Sequence, residues 1–427
     1  MLREYSSVFR SCAYLIAGLF FSQISAFAYA DVGGLNRFDL KAFYNSAWER
    51  QPESKTFQYK IDSAIAKQKV ASSFLASPAS IEFSQKTDKA NNNLGMSETV
   101  IGLGFPLWLW NERSSSVNLA NAEYKKLMSQ YYLSQLKVAA EVRDAYWSYQ
   151  KTKLENDLAH SRFENTKTLA IDVEKRFKAG DLARADLHQA NGALATAELN
   201  LAEATANLIN AEQRIKTLLG TEKFQKIKLD IVLKNTEPLP KVPENFSSLD
   251  ASLPIVIALI DQLDVAKRAV ELVQSKTRTS PELQILSSKG REVYGSPYQQ
   301  SITVGIKIPF GSSAVNADRL ASATAEMVDS EIKLAYERES ALSNVESNVT
   351  LVKSAQIKLD AANKRSTLAN ETRQFFDKSF RYGETDLPTR LRIELEAVDA
   401  NKQAVIAKIN YAISVSNLRQ ALGLLPE

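Results

Sequence analysis

Apolar residues recur at alternating steps of three and four along one stretch: Leu187, Ala190, Leu194, Ala197, Leu201, Ala204, Leu208, Ala211, Ile215 and Leu218. A seam repeating every 3.5 residues keeps facing the same neighbour, and alanine at alternate places lets that neighbour approach closely. A second stretch does the same with Ile393, Ala397, Ala400, Ala404, Ala407, Tyr411, Leu418 and Ala421. An ordinary amphipathic core helix would tolerate looser 3.6 spacing, so the regularity favours coiled-coil packing. Ahead of the first seam, the pattern predicts a rising helix from about Ser115 to Lys178, roughly 95 Å long. A turn follows at Lys178-Ala179-Gly180-Asp181.

Elsewhere the period is two. Ser301 to Ile308 places an apolar residue at every second position, and Ser80 to Ser84 alternates cleanly. Val100 to Phe105 alternates bulky residues with glycine after Val100, and Leu283-Gln284-Ile285 alternates weakly. Strands are predicted at about 79–88, 97–108, 281–289 and 299–310. The segments between them, Lys89 to Met96 and Lys289 to Tyr298, have loop composition. A half-buried soluble sheet gives this alternation, and so does a membrane strand with one face to lipid and one to a polar lumen. Aromatics near the predicted strand ends (Phe105, Trp108, Trp110, Tyr294, Tyr298 and Phe310) favour the membrane. Four strands cannot close a barrel when the smallest membrane barrels have about eight. Membrane-spanning strands here would require several chains in one barrel.

The two halves repeat. Pro78 and Pro281, Pro106 and Pro309, Phe177 and Phe380, Gly180 and Gly383, and the Leu219-Gly220 and Leu422-Gly423 pairs all share one offset of 203 residues. Markers of different types at one offset indicate a duplicated unit. The expected organisation is a leader over 1–30, a first repeat over 31–220 with its tip near 180, a linker over 221–252, and a second repeat over 253–427 with its tip near 383. Each repeat reads as a helix, two strands around a loop, and a long helical hairpin.

Composition narrows the class. Only 15 Gly and 12 Pro in 427 residues disfavour a many-turned all-β fold. The net charge of +4 disfavours a dense basic nucleic-acid surface. Arg3 and Arg10, the apolar run Ala13 to Phe21, and small residues at Ala26, Ala28 and Ala30 read as a secretory leader cleaved before Asp31. The single Cys, Cys12, precedes that apolar run, so neither lipidation nor a disulfide is expected. With 2 His, no Cys in the mature chain and no recognisable ligand spacing, no metal site is expected. No H-E-x-x-H, G-x-S-x-G or phosphate-binding loop occurs. No catalytic residue or cofactor is expected, and the protein does not read as an enzyme.

Several features together resemble the TolC-type outer-membrane efflux family of Gram-negative bacteria. They are the duplicated unit and Val142-Arg-Asp-Ala-Tyr146-Trp147, similar to the family's V-x-x-A-Y pattern. The turn Arg176-Phe177-x-x-Gly180 followed by Asp186-Leu187-x-x-Ala190, and the closing Leu218-Leu219-Gly220 and Ala421-Leu422-Gly423, complete the set. The resemblance implies a mainly helical chain with a small β part and a homotrimer whose four strands per chain close a 12-stranded barrel in outer-membrane lipid. It implies a hollow helical barrel in the periplasm, docked to an adaptor protein and an inner-membrane pump. The chain would be a passive exit duct for small molecules, metal ions or proteins. It also implies adaptor contact at the tips: Gly180, Asp181, Leu182, Arg184, Gly383, Glu384, Thr385 and Asp386. Gate residues would come from Asp186, Arg381, Thr389, Arg390 and Arg392. One family member carries acidic residues about two turns after the second glycine; here Thr389 and Arg392 stand there instead. Arg381, Arg390 or Arg392 is expected to pair with Asp181, Asp186 or Asp386, within or between chains. The rival reading is a soluble periplasmic coiled-coil adaptor or scaffold with one hairpin and no pore.

Overall fold

The computed structural model describes residues 40–226, 237–243, 249, 252–311 and 313–427. The expected leader lies outside these residues. The first repeat contains α1 (Leu40–Trp48), α2 (Pro52–Ala71), β1 (Ser80–Thr87), β2 (Ser97–Pro106), α3 (Glu112–Lys178) and α4 (Arg184–Leu219). A short α5 (Thr221–Lys226) follows. The second repeat contains α6 (Pro254–Ser275), β3 (Glu282–Arg291), β4 (Gln299–Lys307), α7 (Ser313–Arg381) and α8 (Leu387–Ala421).

The rising helices α3 and α7 have 67 and 69 residues, about 100 Å each at 1.5 Å per residue. Their return partners α4 and α8 have 36 and 35 residues and therefore cover only about half that length. Other helices continue the packing: α2 lies against α3, and α6 lies against both α3 and α7. The alternating Leu/Ala positions of α4 and the corresponding positions of α8 are buried or half-buried. Each seam therefore packs within its own chain.

Two local details differ from the sequence expectation. The first repeat opens with two helices, because the chain breaks before Pro52, which stands in the first turn of α2. Proline is tolerated there because first-turn N–H groups have no intrahelical partner. The first long helix begins at Glu112 rather than near Ser115. The Glu112 carboxylate accepts the Leu109 N–H at 3.0 Å and pairs with the Lys276 ammonium at 3.0 Å.

The four strands form one antiparallel sheet in the order β1-β2-β3-β4. The β2–β3 pairing crosses between repeats, from Ser97 opposite Arg291 to Pro106 opposite Glu282. Among the described residues β1 and β4 each pair on one side only, leaving two free edges. Among the described residues no helix is long and apolar enough to cross a membrane.

The largest core lies where α1, α3, α4 and α8 meet. Phe43, Val142, Ala145, Tyr146, Trp147, Ile215 and Ile409 are buried there. The V-x-x-A-Y segment is therefore a packing element. Its two polar residues leave that core: Arg143 enters a buried ion pair, and Asp144 pairs with Arg214 at the surface.

Candidate functional site

The two hairpin tips share one backbone design. In the first, the Gly180 N–H donates to the Phe177 carbonyl at 3.0 Å and the Asp181 N–H to the Arg176 carbonyl at 2.9 Å. In the second, the Gly383 N–H donates to Phe380 at 3.1 Å and the Glu384 N–H to Ser379 at 3.0 Å. These are paired six-to-one and five-to-two bonds closing a helix on a left-handed residue. Gly180 and Gly383 have φ of 86° and 77°. A Cβ at either would meet nothing within 4 Å, so backbone strain alone selects glycine there.

The structure brings the tips together around Phe380. Its side chain is buried with Ala170 and Val173 of α3, Ala190 of α4 and Leu387 of α8, and Leu182 packs against this cluster. The Arg390 and Arg176 guanidinium groups lie 4.8 and 5.2 Å from the Phe380 ring centre. Phe177, the equivalent residue in the first repeat, is only half-buried. Asp181, Arg184, Gly383, Glu384 and Asp386 are exposed, and Thr385 and Thr389 are half-buried. The Thr385 hydroxyl lies 2.6 Å from that of Ser379.

Within one chain the arginines of the second tip take other partners than those expected. Arg381 and Arg390 both bind Asp377, at 2.9 and 2.8 Å, and Arg392 lies 3.7 Å from Glu396 on its own helix. Asp186 and Asp386 each cap a return helix. The Asp186 carboxylate accepts the Ala183 N–H at 3.1 Å, the reverse arm of a capping box. Asp386 is the N-cap of α8 and accepts the Thr389 N–H at 3.3 Å. Hydrogen bonding to Thr389 holds its carboxyl below the ordinary value of 3.8. Asp377 stands one helical turn before Arg381 and faces Arg390 across the hairpin, a juxtaposition invisible to spacing rules that start from the turn glycine.

The sheet has two chemically distinct faces. Register and strand alternation place Ile81, Phe83, Ile101, Leu103, Phe105, Leu283, Ile285, Ile302, Val304 and Ile306 on one face. The run continues past β4 through Ile308 and Phe310, both exposed. From Ile302 to Phe310 it spans about 27 Å along the chain at ~3.4 Å per residue, or roughly 20 Å along the normal of a sheet tilted by ~40°. Toward the β1–β2 and β3–β4 loops the same face turns polar, with Gln85, Thr99, Lys289 and Gln300 in one row and Thr87, Ser97 and Arg291 in the next. The opposite face carries Ser80, Glu82, Gln284, Ser288, Thr303 and the glycines 102, 104 and 305. A Cβ on Gly102 would stand 2.6 Å from Leu286, and one on Gly104 would collide with Glu282 and Ser80. Gly102 and Gly104 thus make room for neighbouring side chains, while a Cβ on Gly305 would meet nothing within 4 Å.

A third constellation had no sequence signal. Glu237, in the expected linker, is buried between Arg143 of α3 and Arg419 of α8. Its carboxylate also accepts the Ser416 hydroxyl, which in turn accepts the Trp147 indole N–H at 2.8 Å. One connector residue thus ties both repeats. The carbonyl of the next residue, Pro238, accepts from the Arg419 guanidinium at 3.1 Å.

His160 and His188 are exposed on separate helices. Among the described residues no group of three or more His, Cys, Asp or Glu could hold a metal ion.

Residues 39–221 match the model of the family described as outer membrane efflux protein. Over 211 residues the chain is 26% identical to the cobalt-zinc-cadmium resistance protein CzcC of Cupriavidus metallidurans, an alignment covering 48% of this chain and 49% of that protein. The chain thus spans about half the length of that relative. Solved structures extend the likeness in fold to nearly the whole chain. CusC, described for its transmembrane channel formation, matches with a TM-score of 0.75 at 16% identity, over 93% of this chain and 95% of that one. The open-state MtrE outer membrane channel of Neisseria gonorrhoeae matches with 0.72 at 18% identity, over 90% and 89%. The CmeC outer membrane channel of Campylobacter jejuni matches with 0.73 at 16% identity, over 90% and 85%.

Proposed function

We propose that this chain, a member of the outer membrane efflux protein family, is one of three identical subunits of a passive exit duct in the outer membrane of a Gram-negative bacterium. The observation that carries this reading is the sheet: one apolar exposed face, one polar face, and two unpaired edges. In lipid each unsatisfied edge N–H or C=O costs several kcal/mol, so only a closed sheet is stable there. Three copies, each pairing β4 with β1 of the next, give 12 strands with the polar faces lining the lumen. The hairpins continue the duct into the periplasm as a helical barrel narrowing at the tips.

The chain supplies a conduit and no energy source. The tips are the surface for a periplasmic adaptor, and an inner-membrane pump drives transport. Exposed Asp181, Arg184 and Glu384 offer the adaptor charged contacts, and Leu182 an apolar one. The gate is set by how the second hairpin is held at Phe380 and Asp377, since Arg390 bridges both. The cargo is drawn from small molecules, metal ions or proteins, with metal ions favoured by analogy with the name of CzcC. A soluble adaptor with a single hairpin is disfavoured, because this chain has two equivalent hairpins and an exposed apolar sheet face.

Reconstitution tests the reading. The mature chain, purified in detergent, should have the mass of a trimer and form discrete conductance steps in planar bilayers. A stable monomer that leaves the bilayer silent would overturn it.

A further inference from the structure

The outward face of the sheet does not end in a plain polar margin. Lys289 and Arg291 project from β3 on the parity of Leu283 and Ile285, one and two rows beyond the last apolar row. Two tyrosines of the following loop hold them in place. The Arg291 guanidinium lies 5.1 Å from the Tyr294 ring centre and 5.2 Å from that of Tyr298, and its Nε donates to the Gly95 carbonyl at 3.2 Å. The Lys289 ammonium lies 5.8 Å from the same Tyr298 ring. Neither cation has a carboxylate partner among the described residues. Glu98, the nearest acidic residue in register, is opposite Gly290 and so points to the other face. Acidic Glu292 follows Arg291 in the chain, is exposed, and stands on the opposite parity.

We infer that this Lys289–Arg291–Tyr294–Tyr298 cluster binds the phosphate of a lipid headgroup in the leaflet on the loop side. The inference rests on the proposed reading that the apolar face meets lipid. Solvation alone would leave two long cationic side chains free. Here ring stacking and the Gly95 bond fix the Arg291 fork, leaving its terminal N–H groups to donate, a geometry suited to phosphate oxygens. Their height above the apolar band puts them where headgroups lie, and tyrosine rings belong at that boundary. A basic residue near an anionic lipid surface gains attraction without crossing the hydrocarbon.

The test uses the full mature chain as a purified trimer and measures bound lipid by native mass spectrometry. The probes are bisphosphorylated lipid A and the same lipid with both phosphates removed. Wild type should retain the phosphorylated lipid at least tenfold better. K289Q and R291Q should each weaken retention about fivefold and the double variant about 30-fold, the scale expected of one or two basic residues near anionic lipid. Tyr298→Phe should bind as wild type, and Tyr298→Leu should lose about threefold. Equal retention of the two lipids by wild type overturns the inference without any variant. So does a double variant that inserts and binds normally, or full displacement by millimolar inorganic phosphate, which would mark a free-anion site. A chain that fails to insert into liposomes at all would instead remove the underlying membrane reading.

Discussion

Glu237 and Arg143 form a two-point ion pair, with Nη2 to Oε1 at 2.7 Å and Nε to Oε2 at 3.1 Å, and both side chains are nearly inaccessible. Arg419 approaches the same carboxylate from the second repeat at 3.2 Å. Replacing Glu237 with Ala would leave two buried cations without their shared anion. A loss of about 3–5 kcal/mol is expected, since removing one partner of a buried pair is far costlier than never having it. Equilibrium denaturation in detergent checks this. A loss under about 1 kcal/mol would show that water reaches the site.

The parity proposed to face lipid makes a graded prediction. Arg at Ile306, near the middle of the apolar band, should cost about 2–4 kcal/mol, and Arg at Val304 somewhat less. Arg at Thr303, on the polar face, should cost far less. Folding into vesicles at graded urea would separate them, and equal costs at 303 and 304 would argue against this assignment of faces.

At the tips, Gly180→Val and Gly383→Val force a β-branched residue to positive φ, at roughly 1–2 kcal/mol or more each. Both variants should still reach the outer membrane as trimers while export falls. Gly→Asn, which tolerates this conformation, should retain most export. Equal export in the Val and wild-type proteins would remove tip geometry from the mechanism.

Asp377→Asn removes the carboxylate shared by Arg381 and Arg390, and Phe380→Ala removes the buried contact between hairpins. Single-channel conductance should rise in both, more in the Phe380 variant, since a buried aromatic truncation costs about 3–5 kcal/mol. Arg392→Gln should change little, because among the described residues Arg392 forms its ion pair with Glu396 on its own helix. Unchanged conductance in all three would place the constriction elsewhere.

Burial, with smaller contributions from Tyr131 and Tyr132, pushes the Tyr44 phenol from 10.0 up to about 12. The folded state therefore favours the neutral form. The associated stability is intact below pH 10.0 and is lost as pH rises toward about 12. Tyr44→Phe should flatten the alkaline limb of the stability curve. It should cost little at neutral pH, because the hydroxyl meets no hydrogen-bond partner among the described residues. An unaltered alkaline limb would assign that limb to another group.

What could be read from the sequence was local and periodic. The seams from Leu187 and Ile393, the alternation from Ser80 and Ser301, and the 203-residue offset each lie in a continuous stretch, where the backbone period dictates the pattern. The return helices stop at Leu219 and Ala421, and the rest of each rising helix is covered by α2 and α6, a division no seam announces. Asp377 and Glu237 carry no sequence signal, for one reason. Each acts across a gap between distant segments, and nothing in its neighbours in the chain marks it. Asp386-Leu387-Pro388 reads in the sequence as a helix start with a capping Asp, and Asp386 does cap α8, whereas the capping role of Asp186 has no such local mark because Ala183, not a capping side chain, stands at its N-cap.

The two tips share backbone bonds yet differ in one ring. Phe380 is wedged between hairpins, while Phe177 is half-buried. Six hairpins with identical turns could in principle close as a ring of sixfold symmetry. In the proposed trimer the unequal phenylalanines would reduce that to three, and the narrow end would alternate two kinds of hairpin. A docking protein would then meet two inequivalent sets of three positions, and could engage the duct as three pairs without being a symmetric hexamer itself.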